Sequence, residues 1–174
     1  HEIDTDDFIA LCREIGAEPF LTINAAWDSP EVCAAWVEYC NGDVSTPYGK
    51  LRANRGHQEP YNVQFWSLGN EFGYGHMEGD NTPAGYCQIA LENGKKMLEA
   101  SPGLSLCSSG PYPNKEWAEF SAKPLAGISQ MISQHYYGYD PHYTDLSTVE
   151  EEYNRCMASV SRMRELIHQS RQWL

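Results

Sequence analysis

Asn70 and Glu71 follow the apolar run Tyr61-Asn62-Val63-Gln64-Phe65-Trp66-Ser67-Leu68 through a single glycine. A carboxyl at the end of such a run is desolvated on one side, which raises its pKa and lets it hold a proton near neutrality. The amide beside it is suited to hydrogen-bonding a substrate hydroxyl. His135 and Tyr137 stand two apart on a later predicted strand, so they point to the same side and are placed to flank that carboxyl. The ends of the other strand-like runs are also polar: Asn24 and Ser108-Ser109. The residue types alone leave Glu71 open between a proton donor and a salt-bridged strand-end acid.

Other chemistries find less support. His57, His76, His142 and His168 lack short ligand spacing and read as solvated or hydrogen-bonded side chains, so neither a metal nor a cofactor is implied. Cysteines at 12, 33, 40, 87, 107 and 156 form no Cys-x-x-Cys pair and read as small buried or half-buried hydrophobes. That usage points to a reducing, cytoplasmic-type compartment. With 24 acidic against 12 basic residues the chain carries a net charge of −12, which argues against a nucleic-acid partner. No apolar run approaches the roughly 20 residues of a membrane span.

Those candidate residues need elements to place them. Helices are predicted over 4–15, capped by Asp4 or Thr5, and from Ser29-Pro30-Glu31 to Cys40. A third runs from Asn81-Thr82-Pro83 to about Ala100, and a fourth over 115–122. A last one, opened by a Ser147-Thr148-Val149-Glu150 capping box, runs toward the C-terminus. Strands are predicted at 18–24, 61–68, 104–108 and 128–137, with a polar loop, a candidate functional segment, over 43–60. Alternating strands and helices imply right-handed crossovers and a parallel sheet. A doubly wound sheet would fit the length, but no glycine-rich phosphate turn follows a strand. A closed (β/α)8 barrel needs about 250 residues, so this chain could only be part of one. Its opening residues, without an initiator Met and already in a helical pattern, read as the middle of something larger.

Five segments carry a resemblance: Gly16-Ala17-Glu18-Pro19, Ala35-Trp36-Val37-Glu38-Tyr39-Cys40-Asn41-Gly42, Leu51-Arg52, Gly56-His57-Gln58-Glu59-Pro60-Tyr61 and Trp66-Ser67-Leu68-Gly69-Asn70-Glu71. Together, across about residues 7–139, they look like the catalytic barrel of family 51 glycoside hydrolases, the α-L-arabinofuranosidase family of clan A retaining enzymes. The resemblance implies an α/β fold: a partial (β/α)8 TIM barrel holding about strands three to six, with residues 1–174 a fragment of one catalytic domain. It implies Glu71 as the general acid/base, Asn70 as the residue bonding the sugar 2-hydroxyl, and His135 with Tyr137 as the pair that lines the subsite and positions the catalytic carboxylates. Asn24 and Trp27 are expected to bind substrate, with Trp27 and Tyr112 as stacking candidates and Trp66 in the core. The family's glutamate nucleophile belongs to strand seven, beyond Leu174, and Glu78, Asp80 and Asp140 read as loop acids that do not replace it.

The implied activity is retaining hydrolysis of α-L-arabinofuranosides in plant-type polysaccharides, left incomplete without the nucleophile strand. The implied partners are a carbohydrate and the remainder of the barrel, or a second copy if the C-terminal helix exposes Val160, Met163, Leu166 and Ile167. Two departures stand out. Arg55 replaces an expected amide residue, and the stretch 72–79 differs on the leaving-group side, which leaves xyloside or β-glucan specificity open. A non-catalytic carbohydrate-binding or assembly module is the rival reading.

Overall fold

The computed structural model describes residues 3–74, 80–136 and 148–173. Its helices begin where short polar side chains cap the chain. Asp4 opens α1 (Thr5–Glu14) by accepting from the backbone of Asp6 and Asp7, and the Asp7 carboxylate answers from inside the helix. Three further helices repeat a Ser/Thr cap followed by proline at the first helical position. They are α2 (Pro30–Asn41), α3 (Pro47–Asn54) and α4 (Pro83–Ala100). After them α5 (Lys115–Trp117), a π-helical turn (Ala118–Ala122) and α6 (Lys123–Leu125) run on without a break. The last helix is α7 (Val149–Trp173). Its reciprocal capping pair is Thr148 with Glu151, one residue later than expected, and Ser147 lies outside the described residues.

Four short strands, β1 (Phe20–Thr22), β2 (Phe65–Ser67), β3 (Ser105–Ser108) and β4 (Ser129–Ile132), pair in parallel in chain order. A doubly wound sheet reverses its order at a switch point; an unbroken sequential order is that of a barrel wall. Along β1, Leu21 is buried between the exposed Phe20 and Thr22. Trp66 is fully buried and meets Trp36 of α2 edge-on at 5.2 Å. Between β3 and β4 the register jumps from Leu106↔Ser129 to Cys107↔Met131. The extra residue, Gln130, repairs the ladder by accepting from the Leu106 N–H at 3.1 Å. β4 ends at Ile132, not Tyr137, so His135 stands three residues beyond the strand expected to carry it.

The expected polar loop over 43–60 is instead organised around α3. Arg52 on that helix is fully buried, and its guanidinium donates to the carbonyls of Tyr39 and Gly42 (both 2.8 Å), His57 (3.1 Å) and Gln58 (3.2 Å). One side chain thus ties the end of α2 to the segment leading into β2. Next to it Asp6, also buried, accepts from the Tyr39 hydroxyl (2.6 Å), the Tyr61 hydroxyl (2.9 Å) and Arg55 Nε (2.8 Å). Arg55 also pairs with Asp4. The departure at Arg55 therefore has a structural cause in the acidic start of α1.

The cysteines pack as expected. Five are buried and one is half-buried, and all are free. Burial pushes the Cys40 thiol up to about 12, so it stays protonated. On α7, Val160, Met163 and Ile167 are exposed. No helix among the described residues is long and apolar enough to cross a membrane.

Burial raises the Asp6 pKa, but the hydrogen bonds from Tyr39, Arg55 and Tyr61 outweigh it and hold the carboxyl below its ordinary value. A depressed pKa stabilises the fold above the unfolded value near about 4, and that contribution is lost as pH falls through the folded value. Asp6→Asn should cost about 2 kcal/mol at pH 7 and flatten the loss of stability below about pH 4, measured by urea unfolding across pH. Arg52→Met takes this donor from four backbone carbonyls and should cost about 3 kcal/mol by the same measurement.

Candidate active site

The C-terminal ends of the parallel strands hold the polar residues. Beyond β2 the chain continues through Leu68, whose N–H donates to the Cys107 carbonyl at 2.8 Å, and then leaves the sheet. Gly69 has φ +107, and a Cβ there would fall 2.6 Å from the Phe72 ring, so only glycine fits. Ser67 Oγ donates to the Gly69 carbonyl at 2.7 Å and fixes the exit. Two residues later Glu71 itself has φ +55, a left-handed conformation that a glutamate adopts only where its surroundings impose it.

Those surroundings are visible. The fully buried Tyr86 of α4 donates its hydroxyl to the Leu68 carbonyl (3.1 Å) and accepts the Ser109 N–H (2.6 Å), joining the exits of β2 and β3. Ser109 Oγ accepts the Phe72 N–H at 3.4 Å, and Asn81 Oδ1 accepts the N–H of Gly73. Phe72 is fully buried against Tyr86, with ring centroids 4.7 Å apart. The residues on either side of the Glu71–Phe72 peptide are therefore gripped by β3 and α4, and the carboxyl is left at the surface of the sheet edge.

His135 arrives from beyond β4, on the far side of β3. The Ser108 carbonyl accepts the Ser133 N–H at 2.8 Å and so carries the chain past β4 toward Glu71. His135 Nδ1 lies 2.9 Å from Glu71 Oε1, with both side chains roughly one quarter exposed (27% and 22%), enough for a substrate to reach them. Tyr74 lies near-parallel to the imidazole, 22° between planes and 6.2 Å between centroids.

The structure thus brings Glu71 and His135 together. Asn24 and Asn70, both exposed, follow the neighbouring strands β1 and β2. Trp27 is 69% exposed in the turn after β1, where its N–H donates to the Asn24 carbonyl. Tyr137 lies outside the described residues, as do Glu78 and Asp140. Tyr112, expected as a stacking ring, is 4% exposed and belongs to the core, whereas Trp66 is buried as expected. Ser108 and Ser109 are buried struts. Asp80 is committed to the start of α4, accepting from the Thr82 N–H and hydroxyl. Among the described residues no group of three His, Cys, Asp or Glu is placed to hold a metal ion. Tyr86 and Tyr74 were missed in the sequence. Tyr86 is one apolar position among several on its helix, and Tyr74 sits in a glycine-rich stretch with no periodicity.

Comparison with known proteins gives concordant results. The family described as the alpha-L-arabinofuranosidase 1 domain matches residues 2–155. Alpha-L-arabinofuranosidase C of Emericella nidulans is 32% identical over 123 residues, 71% of this chain and 24% of that protein. An intracellular exo-alpha-(1->5)-L-arabinofuranosidase of Halalkalibacterium halodurans is 30% identical over 144 residues, 79% of this chain and 29% of that protein. The chain thus spans roughly a quarter of the length of these relatives. In structure, an alpha-L-arabinofuranosidase from Thermotoga maritima, solved with arabinose, superposes with a TM-score of 0.73 at 34% identity over 98% of this chain and 35% of that one. The family 51 enzyme of Bifidobacterium longum reaches 0.83 at 23% identity over 95% and 34%, a likeness of fold alone.

Removing the bridging hydroxyl tests the strand-end scaffold. Tyr86→Phe keeps the ring but strips partners from Leu68 and Ser109; it should cost about 2 kcal/mol in urea unfolding with the secondary structure unchanged by circular dichroism.

Proposed function

This chain belongs to the α-L-arabinofuranosidase family, family 51 of the glycoside hydrolases, and on that premise we propose that it forms the acid/base side of a retaining arabinofuranosidase site. The observation that supports this most is the Glu71–His135 contact of 2.9 Å at the C-terminal edge of a sequential parallel sheet, where barrel enzymes keep their chemistry. Glu71 would protonate the departing glycosidic oxygen and later draw the proton from water. His135 would hold the Glu71 carboxylate through Oε1 and fix its direction. Asn70 would bond the sugar 2-hydroxyl, Tyr137 would line the same subsite, and Asn24 and Trp27 would border it from the turn after β1.

Retention also needs a nucleophilic carboxylate about 5–5.5 Å from the acid. We assign that group to a strand beyond β4 in the same catalytic barrel, and the chain alone is expected to be inactive. The exposed face of α7 would then meet either that remainder or a second copy. The proposed substrate class is α-L-arabinofuranosides, following the names of the relatives, and plant-type polysaccharides are the source expected from the resemblance.

In the protein carrying the complete barrel, Glu71→Gln should lower kcat/KM on unactivated arabino-oligosaccharides by about 10²–10⁴-fold, while nitrophenyl arabinofuranosides, whose leaving group needs little protonation, lose far less. Unchanged oligosaccharide hydrolysis would refute the role given to Glu71. Sugar binding without turnover in the unsubstituted protein would favour a binding module, and preference for xylosides or β-glucans would move the specificity elsewhere.

A further inference from the structure

The geometry points to Tyr74 as a positioning residue for the Glu71–His135 pair. Its ring reaches the imidazole because residues 71–74 form a turn closed by the Tyr74 N–H donating to the Glu71 carbonyl at 3.3 Å. Gly73 makes that turn possible: it has φ +88, and a Cβ on it would fall 2.5 Å from the Trp117 ring and 2.7 Å from Pro111. With the Gly73 N–H held by Asn81, the tyrosine is folded back over His135. The result is a closed circuit. The Glu71 carboxylate meets the imidazole, the imidazole lies along the Tyr74 ring, and the Tyr74 backbone returns to Glu71.

The circuit constrains what one hydrogen bond leaves free. A single contact at Nδ1 fixes one atom of the ring but permits the ring plane to tilt about the Cβ–Cγ bond. An offset-stacked aromatic fixes the plane as well. An ionised carboxylate only accepts, so above the Glu71 pKa the proton on the bonded edge of a neutral His135 sits on Nδ1. That is the tautomer a free imidazole disfavours. Tyr74 thereby keeps Nδ1–H aimed at Oε1. The catalytic consequence rests on the role proposed for Glu71; the tautomer does not.

The test is made on the 174-residue chain labelled with ¹⁵N-histidine, by two-bond nitrogen–proton correlation at pH 8. The His135 signal is identified by its loss in His135→Gln. The unsubstituted chain is expected to show the Nδ1–H form. Tyr74→Ala should shift the tautomer ratio toward Nε2–H by about two- to ten-fold, the scale of one aromatic pair, while Tyr74→Phe should leave it in place. Should the alanine variant fail to fold, Tyr74→Leu, which keeps apolar bulk without a ring, is read the same way. An Nε2–H form in the unsubstituted chain, or an unshifted Nδ1–H form in a folded Tyr74→Ala or Tyr74→Leu variant, overturns the proposal. A glutamate with no part in hydrolysis would leave the predicted nitrogen signals intact, so failure of the catalytic reading and failure of this one are told apart.

Discussion

The exit of β3 is the point on which the candidate site depends. Parallel strands present their last carbonyls and amides at one edge, where no further ladder exists to satisfy them. Here Ser108 and Ser109 take up both neighbours. Ser109 binds Phe72 on the β2 side, and the Ser108 carbonyl binds Ser133 on the β4 side. Tyr86 closes the arrangement from α4, bonding Leu68 and Ser109 with a single buried hydroxyl. Glu71 and His135 are 64 residues apart in sequence and meet because their backbones are tied to two consecutive serines. A glutamate at φ +55 is tolerable in that frame, since Gly69, Phe72 and Gly73 on either side are fixed before its own conformation is counted.

The outer layer solves a different problem with buried charge. Among the described residues Arg52 has no carboxylate partner; it is neutralised in effect by four backbone carbonyls, which are end groups of α2 and of the chain approaching β2. Asp6 is met by two phenols and Arg55. Buried ions are weak sources of net stability, but removing one partner leaves the other exposed to its full desolvation cost. Their consequence is therefore registry. α1, α2, α3 and the approach to β2 are held in one relative position, and that position sets where β1 and β2 deliver Asn24 and Asn70.

Much of this was legible in the residues. Capping side chains and N-terminal prolines placed α1, α2 and α4 within a residue or two, because those signals are local and the structure uses them as such. The Gly-Asn-Glu exit after an apolar run located Glu71. The less legible parts depended on distance. α3 looked like loop because its buried residues are a glycine and an arginine, so it has no apolar face to read. The strand predicted over 128–137 stops at Ile132: the ladder is already irregular at Gln130, and the Ser108–Ser133 bond is the last backbone bond it makes with β3 among the described residues. Tyr112 read as a surface ring, but it is buried in the same core cluster as Tyr86 and Trp117. Nothing in the spacing announced Tyr86, whose partners come from two other elements.

The two departures from the family pattern have different structural meanings. Arg55 is explained far from the strand ends by the pair of acids at the start of α1, and Asp6 is one the fold keeps buried. Substitution there adjusts the helix layer and leaves the carboxyl–imidazole contact untouched. The stretch after Glu71 is another matter. Phe72 is drawn into the core by Tyr86, Gly73 has no room for a side chain beside Trp117 and Pro111, and Tyr74 is left over the imidazole. Three consecutive residues are thus committed in three different directions, into the core, against a neighbouring loop and onto His135. A change at any one of them would reach the acid through its backbone. That makes the residues directly after Glu71, more than Arg55, the place where a substitution would disturb the carboxyl–imidazole contact.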